Sequence, residues 1–157
     1  MTIIERASTQ DFEHICALDE TALGSGRRRS MIAQALAQAR IAVARVEGLV
    51  RAFVISEDNF FGNGFVALLI VHPDYRRRGL ATALMRAAEL DCQSEKLFTS
   101  TNQSNIPMQQ LCARIGYVKS GYIENLDDGD PELIYMKRLA PQPRSDPGAP
   151  PRDSDDD

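Results

Sequence analysis

The segment between residues 65 and 81 constrains the fold more than any other part of the chain. Residues 65–71 are continuously apolar, and a strand without polar alternation is covered on both faces, which predicts a central strand. A cationic loop, residues 76–81, then leads through Gly79 into an amphipathic, helix-like segment. The first amides of a helix lack internal partners and lie at the positive end of its dipole. The pattern therefore predicts a phosphate-binding loop between a strand and a helix.

The length and charge distribution of the chain indicate one domain and argue against nucleic-acid-binding proteins. The 157 residues fit one domain, which we place at residues 1–139, followed by a disordered, Pro- and Asp-rich tail at residues 140–157. That tail carries −3 of the net charge of −4, and the remainder lacks the basic face that a nucleic-acid partner requires. We expect neither a nucleic-acid partner nor a membrane span, because no apolar run is long enough to cross a bilayer.

The cysteines indicate a reducing compartment. Cys16, Cys92 and Cys112 are scattered, odd in number and without C-x-x-C spacing, so we expect free thiols, a cytoplasmic location and no metal site. No basic segment followed by an apolar core opens the sequence, and we therefore expect no signal peptide.

Hydrophobic periodicity predicts alternating strands and helices. The predicted strands are residues 2–6, 41–46, 49–55, 65–71, 96–101, 117–125 and 132–139. The predicted helices begin near Ser8 or Thr9, at Arg28, at Leu80 and at Pro107, and the last ends at Gly116. Residues 57–64, with Phe60 and Phe61, are predicted to be a loop.

Two motifs resemble a known family. The first is Arg76-x-x-Gly79-x-Ala81, directly after a strand that ends in Val71-His72-Pro73. The second is Asn105 followed by Pro107, with Gly116-Tyr117 at the end of the helix. Over roughly residues 2–139 the sequence resembles the GCN5-related N-acetyltransferase (GNAT) family. The resemblance implies a three-layer α+β fold, with a mixed, mostly antiparallel sheet of about seven strands and four helices.

The resemblance also implies acetyl-CoA as the cofactor. The main chain of the loop would bind the CoA pyrophosphate, and it comprises Arg76, Arg77, Arg78, Gly79, Leu80 and Ala81, with Thr82 close by. The pantetheine arm would pair with the backbone of Leu69 and Val71, in a gap between the fourth and fifth strands. The Val71 amide would face the thioester carbonyl as an oxyanion donor, and the side-chain amide of Asn105 would contact the arm.

The sequence identifies the residues that transfer protons less clearly than it identifies the cofactor loop. The family often has a tyrosine general acid where this chain has Cys112, whose thiol is either a proton donor or a buried packing residue. In the second case, solvent or another tyrosine protonates the CoA thiolate. No acid lies in residues 65–71, so the general-base candidates are Glu57 and Asp58, acting through water, and Tyr122 and Glu124 of the sixth strand. His72 is expected to hydrogen-bond beside the loop.

These features predict an N-acetyltransferase that acts on a small-molecule primary amine by direct attack in a ternary complex. The acceptor could instead be a protein N-terminus or lysine, and a non-catalytic acyl-CoA-binding module is a further alternative. A nucleotide-binding protein of another type is disfavoured, because neither G-K-[ST] nor G-x-G-x-x-G occurs. A homodimer is common in the family, although nothing in this sequence requires one.

Overall fold

The computed structural model describes residues 1–140, which form one seven-stranded sheet between two layers of helices. The strands are β1 (Thr2–Arg6), β2 (Ile41–Val46), β3 (Leu49–Phe60), β4 (Asn63–Val71), β5 (Lys96–Asn102), β6 (Val118–Ile123) and β7 (Glu132–Arg138). The helices are α1 (Phe12–Leu23), α2 (Arg29–Ala37), α3 (Leu80–Asp91) and α4 (Ile106–Arg114), with short 3-10 helices at Thr9–Asp11 and Pro73–Tyr75. Apart from Ala140, the predicted tail lies outside the described residues.

The strand order is β1-β2-β3-β4-β5-β7-β6. Every neighbouring pair is antiparallel except β4 and β5, which run parallel. The predicted mixed, mostly antiparallel sheet with four helices is therefore confirmed, and β4 is its central strand.

Two cores cover the two faces of the sheet. Helices α3 and α4 pack on one face, where Leu84, Leu97 and Cys112 are almost fully buried. Helices α1 and α2 pack on β2, β3 and β4 from the other side, around Ile15 and Phe53. Because β4 contributes side chains to both cores, it needs apolar residues on both faces, as its sequence predicted.

The prediction of a loop at residues 57–64 is wrong. Strand β3 continues to Phe60, and β4 begins at Asn63, so that only Phe61 and Gly62 form the turn. Both turn residues have positive φ, 51° and 79°, which suits a tight hairpin. The polar run from Ser56 stays extended because it pairs with β4, and the ring of Phe60 stacks on Phe65 with centroids 4.7 Å apart.

A partly buried ion pair fixes the start of α1 to the sheet. The Arg45 guanidinium on β2 donates to both Asp11 carboxylate oxygens, at 3.0 and 2.7 Å. The Ser8 amide also donates to Asp11, at 2.8 Å. The hydrogen bond from Arg45 holds the pKa of the Asp11 carboxyl below its usual value, although burial opposes this shift. Asp11 is only 5% exposed, so its charge depends on this partner.

Candidate active site

The predicted phosphate loop joins the end of β4 to the start of α3. Arg77 and Gly79 both adopt left-handed conformations, with φ of 62° and 78°. A side chain at Gly79 would meet no atom within 4 Å, so the main chain there is open to a ligand. Left-handed residues within a turn draw successive amides into a concave, anion-binding arrangement.

The amides of this loop are free to bind an anion. Among residues 1–140, no acceptor bonds the backbone N–H groups of residues 76–82. The first loop-to-helix bond runs from the Ala83 amide to the Gly79 carbonyl, at 3.0 Å. Because α3 has 12 residues, its dipole adds positive potential at this end. The geometry fits a phosphate or diphosphate group.

The three loop arginines are not equivalent. The side chains of Arg76, Arg77 and Arg78 are all exposed, but the Arg78 guanidinium lies 4.7 Å from the centre of the Tyr75 ring. The Arg51 guanidinium lies at the same distance from that ring. Tyr75 therefore holds Arg78 in a cation–π contact, while Arg76 and Arg77 make no ion pair within the described residues.

A fork opens between β4 and β5 beside the loop. The two strands pair only at Gly64–Val66 and Leu97–Thr99 and then diverge. The buried Thr99 hydroxyl donates to the Val66 carbonyl at the vertex of the fork, at 3.1 Å. A side chain thus bonds to the carbonyl of Val66, the last residue of β4 that pairs with β5. Beyond Val66, the side of β4 that faces β5 has no paired strand.

The main chain of β4 points polar groups into the fork. The His72 amide donates to the Arg51 carbonyl on β3, at 2.8 Å. Backbone N–H groups point alternately to the two sides of a strand. The N–H group of Ile70 therefore also points towards β3, and the N–H groups of Leu69 and Val71 point into the gap. These are the two positions at which the sequence predicted contacts with an extended ligand.

Asn105 lies across the fork, at the start of α4. Its side-chain oxygen accepts a hydrogen bond from the Met108 amide, at 3.2 Å, and so caps the helix. The side-chain nitrogen remains as a donor, and Asn105 is exposed. The sequence predicted contact through this amide group, and the nitrogen is the part available for it.

Cys112 lies on α4 inside the larger core. Its side chain is 0% exposed, and burial raises the pKa of the thiol to about 11. The Tyr117 amide donates to the Cys112 carbonyl, at 2.9 Å, at the end of the helix. These surroundings are those of a packing residue.

Glu57 does not lie where the sequence placed it. It belongs to β3, pairs with Phe65 and lies 3.6 Å from the Arg40 guanidinium. Val71 is six residues beyond Phe65 on β4, which corresponds to about 20 Å of extended strand. Glu57 therefore lies near the end of the sheet remote from the fork mouth, on a strand and not in the loop from which it was expected to act through water. Asp58 follows it on the same remote strand segment.

Tyr122 lies on the edge strand β6, opposite Leu133 of β7, which in turn pairs with Thr101 of β5. It is therefore level with the open part of the fork and two strands away from β5. Its side chain is 64% exposed, and it shares the α3–α4 face of the sheet with Leu133.

Sequence reasoning missed the polar residues of β5. Thr99 forms the vertex bond, and Ser100 and Asn102 lie on the opposite face of the strand, towards α1 and α2. The Asn102 side chain donates to Asp127 of the β6–β7 turn, at 2.8 Å. The sequence signal for these residues was a change of polarity within the strand, where the apolar pair Leu97-Phe98 is followed by four polar residues, 99–102.

A second concave region lies away from the fork. A cleft of about 940 Å³ opens near the end of α3 and is lined by Glu5, Arg40, Glu57, Asp91 and Ser94 among others. None of the loop residues contributes to it. Only the fork combines free amides with a helix N-terminus, so it is the better candidate for the active site.

Two further properties concern residues 1–140 alone. No group of three or more His, Cys, Asp or Glu side chains is placed there to hold a metal ion. None of the described helices is both long and apolar enough to span a bilayer.

Comparison with known proteins identifies the family. The model of the acetyltransferase (GNAT) domain matches residues 37–122, which include the fork, the loop and α4. The chain belongs to the GNAT family. A GNAT-family acetyltransferase from Bacillus cereus is 33% identical, with a TM-score of 0.86, over 90% of this chain and 99% of the other. No curated protein matches the sequence.

Two acetyltransferase structures with lower sequence identity share the fold. The ribosomal-protein-S18-alanine N-acetyltransferase of Escherichia coli has 18% identity and a TM-score of 0.78, over 92% of this chain and 98% of the other. The Salmonella typhimurium protein yncA, solved with its cofactor acetyl-CoA, has 15% identity and a TM-score of 0.73, over 92% and 98% of the two chains.

Membership in the GNAT family makes the protein an acyltransferase. The expected family, fold class and enzyme class are confirmed. The alternatives of a non-catalytic module and of another nucleotide-binding fold are set aside, because the matched domain is that of an acetyltransferase.

Proposed function

We propose that this GNAT enzyme transfers acetyl from acetyl-CoA to the primary amine of a small molecule, by direct attack in a ternary complex. One observation carries the proposal. The open amides of β4 and those of the loop are separated only by residues 72–75, which include the short 3-10 helix Pro73–Tyr75, so a single extended ligand that ends in a diphosphate can bind both.

The proposed cofactor contacts follow the main chain. The amides of Arg76, Arg77, Arg78, Gly79, Leu80, Ala81 and Thr82 bind the pyrophosphate, and the exposed side chains of Arg76 and Arg77 add positive charge. The backbone of Leu69 and Val71 pairs with the pantetheine arm as a neighbouring strand would. The Asn105 nitrogen donates to the arm from the other side of the fork.

The chemistry needs few side chains. Acetyl-CoA supplies a thioester whose carbonyl carbon accepts the amine nitrogen, which gives an amide and releases the CoA thiol. The Val71 N–H, which faces the gap, donates to the carbonyl oxygen as that oxygen gains negative charge. Alignment of the two reactants in the fork supplies much of the rate.

The proton transfers are assigned by position. Tyr122 shares the α3–α4 face with the proposed cofactor, so we assign it as the protein candidate for protonating the leaving thiolate. Cys112 packs the core. Glu57 lies too far from Val71 to take the amine proton, so we propose that water in the open fork accepts it.

The acceptor approaches from the opposite face of β5. There α1 and α2 cover Leu68 and Ile70 of β4, and only the side of the fork lined by Ser100 and Asn102 stays open. Glu132, opposite Asn102, and the acidic β6–β7 turn place negative charge at this approach. A small cationic amine fits the confined, acidic opening.

A protein N-terminus or lysine is the second candidate acceptor. Strand β6 is the edge of the sheet and is exposed along its whole length. An exposed edge can pair with an extended peptide, which would deliver a terminal amine past the β6–β7 turn.

Titration calorimetry with acetyl-CoA, followed by thiol release over an amine panel, tests the proposal. We expect micromolar binding, and Gly79→Glu should weaken it at least a hundredfold by adding bulk and negative charge beside the diphosphate. Gly62→Glu is the matched control, because that glycine also has a φ near 79° with open space around it but lies at the remote hairpin. Equal affinity in the two folded variants would contradict the loop assignment.

The same panel separates the acceptor classes. Thiol release with small amines, and none with peptides that have free N-termini, supports the first candidate. The reverse result would replace it with the peptide acceptor, and no release with either class would refute acetyl transfer to an amine.

A further inference from the structure

One carboxylate connects the two sides of the fork within the helix layer. Glu89 lies near the end of α3, and its side chain is only 11% exposed. Its Oε1 atom accepts hydrogen bonds from the Lys137 ammonium of β7, at 2.7 Å, and from Arg86 of its own helix, at 3.1 Å. Its Oε2 atom accepts one from the hydroxyl of Tyr117, which follows the end of α4, at 3.4 Å. We call the contacts of Glu89 with Lys137 and Tyr117 the helix tie.

The helix tie is the polar link between α3 and the second half of the sheet. Helix α3 packs on β1 to β4, whereas Lys137 belongs to β7 and Tyr117 joins α4 to β6. Within residues 1–140, no other side-chain hydrogen bond or ion pair joins α3 to α4 or to β5–β7. Tyr117 is 4% exposed, and its burial, with the charge of Glu89, raises the pKa of the hydroxyl. The hydroxyl therefore stays protonated and able to donate near neutral pH.

The tie lies at the vertex end of the fork. Lys137 pairs with Leu97 of β5, which pairs with Gly64 of β4 in the short contact between these strands. Helix α3 follows the end of β4 and α4 follows the end of β5, so both helices begin at the fork mouth and run towards the vertex. The phosphate loop leads into α3, and Asn105 caps α4. The tie joins the opposite ends of these helices, as the Thr99 hydroxyl joins the two strands.

The side chains of the tie constrain one another. Besides its bond to Glu89, the Lys137 ammonium lies 5.7 Å from the centre of the Tyr117 ring, within the range of a cation–π contact. Because Glu89 and Lys137 are largely withdrawn from water, at 11% and 20% exposure, each charge depends on the other for compensation. Hydrogen bonds are directional, so the tie specifies one arrangement of the two helix ends.

We propose that Glu89 is a positioning residue for the coenzyme site. Through the helix tie it fixes the distance between the phosphate loop and Asn105, and so the width of the fork that acetyl-CoA enters. Glu89 acts only through these groups and has no part in the chemistry. This inference rests on the coenzyme contacts proposed above, because it concerns how the chain holds those groups apart.

A double-mutant cycle, measured by titration calorimetry with acetyl-CoA, tests the proposal. Glu89→Met removes the tie with a side chain of similar length, and Asn105→Ser removes the amide donor but keeps a residue that can cap α4. Each single change should weaken binding about tenfold, and Glu89→Met should lower kcat as well. Because Glu89 acts through the placement of Asn105, the double variant should lose clearly less than the product of the two single losses. A loss equal to that product, or wild-type affinity in folded Glu89→Met, would overturn the proposal.

Three further variants separate positioning from stability. Lys137→Met breaks the same tie from β7, so it should weaken binding about as much as Glu89→Met, and the two changes together should weaken it no further. Arg86→Met is the matched control and should bind and turn over as the wild type does, because the bond of Arg86 to Glu89 lies within α3. Asp11→Asn removes a carboxylate from the other face of the sheet and should lower only the melting temperature. Losses of affinity in these two controls as large as in Glu89→Met would contradict the positioning role.

The Gly79→Glu variant separates this inference from the proposed function. If that variant binds acetyl-CoA as tightly as the wild type, the coenzyme contacts themselves are wrong and this inference fails with them. If it loses binding while folded Glu89→Met and Lys137→Met keep it, only the positioning role is refuted. Circular dichroism and thermal melting show which variants are folded.

Discussion

At the scale of single residues, Cys112 shows how burial decides between two chemical roles. The thiol occupies the position at which the family often carries a proton donor, yet it is enclosed by the core. A group with a pKa of about 11 stays protonated near neutral pH, but without access to the fork it has no proton to exchange there. We therefore propose that its contribution is to packing.

Substitution of Cys112 by alanine should change kcat less than about threefold, because no reacting group depends on the thiol. The free energy of unfolding should fall by about 1 kcal/mol for the lost contacts. A hundredfold loss of kcat, with acetyl-CoA affinity intact, would instead identify the thiol as the proton donor. Steady-state kinetics and urea unfolding measure both quantities.

The raised pKa of Cys112 also gives a pH signature. The folded state disfavours the thiolate, so the stability that the thiol contributes is complete below the unfolded pKa of about 8.5. That stability is lost as the pH rises towards 11. The difference in unfolding free energy between wild type and Cys112→Ala should therefore shrink between pH 8 and pH 10.5. A constant difference would show that the thiol titrates alike in both states.

At the scale of elements, one side chain, that of Thr99, bonds across the vertex of the fork. Thr99→Val keeps the shape of the side chain but leaves the buried Val66 carbonyl without its hydroxyl donor, a cost of about 1–3 kcal/mol. We expect kcat to fall about tenfold as the vertex shifts and the reactants lose alignment. Thr99→Ser retains the hydroxyl and should keep most of the activity. Unchanged kcat and stability in Thr99→Val would show that the bond does not set the fork.

The Asp11–Arg45 pair belongs to the same scale, because it joins the start of α1 to β2. Arg45→Met leaves a buried carboxylate without its partner and should cost about 3–5 kcal/mol at pH 7. Asp11→Asn, which removes the charge, should cost less. If both variants cost the same, the penalty would come from lost packing rather than from charge.

The pair also predicts a response to acid. The pKa of Asp11 is lowered in the fold, so its stabilising contribution is complete above the unfolded pKa of about 3.9 and is lost as the pH falls through the folded value. The advantage of wild type over Asp11→Asn should therefore shrink as the pH drops from 5 to 2. Chemical unfolding at several pH values measures the trend.

At the scale of the whole molecule, both cores are built from residues up to Leu139. We therefore expect a chain ending at residue 139 to keep the melting temperature within about 2 °C and the affinity for acetyl-CoA within twofold. A loss of more than about 5 °C would show that the domain extends beyond the boundary that the sequence predicted. Thermal melting and titration calorimetry on the shortened chain make the comparison.

Local chemistry made much of this molecule predictable. The apolar run of β4, the glycine that starts α3 and Pro107 in the first turn of α4 each act within a few residues. The position of the loop followed from those signals alone. Contacts between distant segments were not predictable: β3 extends to Phe60 by pairing with β4, where the Phe60 ring stacks on Phe65, and this pairing places Glu57 away from the fork.

The same limit applies to the site. The hydroxyl of Thr99 matters only because β5 lies beside β4, 33 residues earlier in the chain. Likewise, Phe98 and Val118 share a face of the sheet only because β7 is inserted between β5 and β6, and no spacing within β5 reveals that order.

The three-residue parallel contact between β4 and β5 leaves the molecule as two antiparallel halves joined by a short seam. A ligand that lies along β4 would act as the absent strand and lengthen that seam. A bound coenzyme would hydrogen-bond to the part of β4 that follows Val66. Amide hydrogen exchange in this part of the strand should therefore slow when the coenzyme binds and become faster when the product leaves. The sheet would then be continuous whenever the coenzyme is bound.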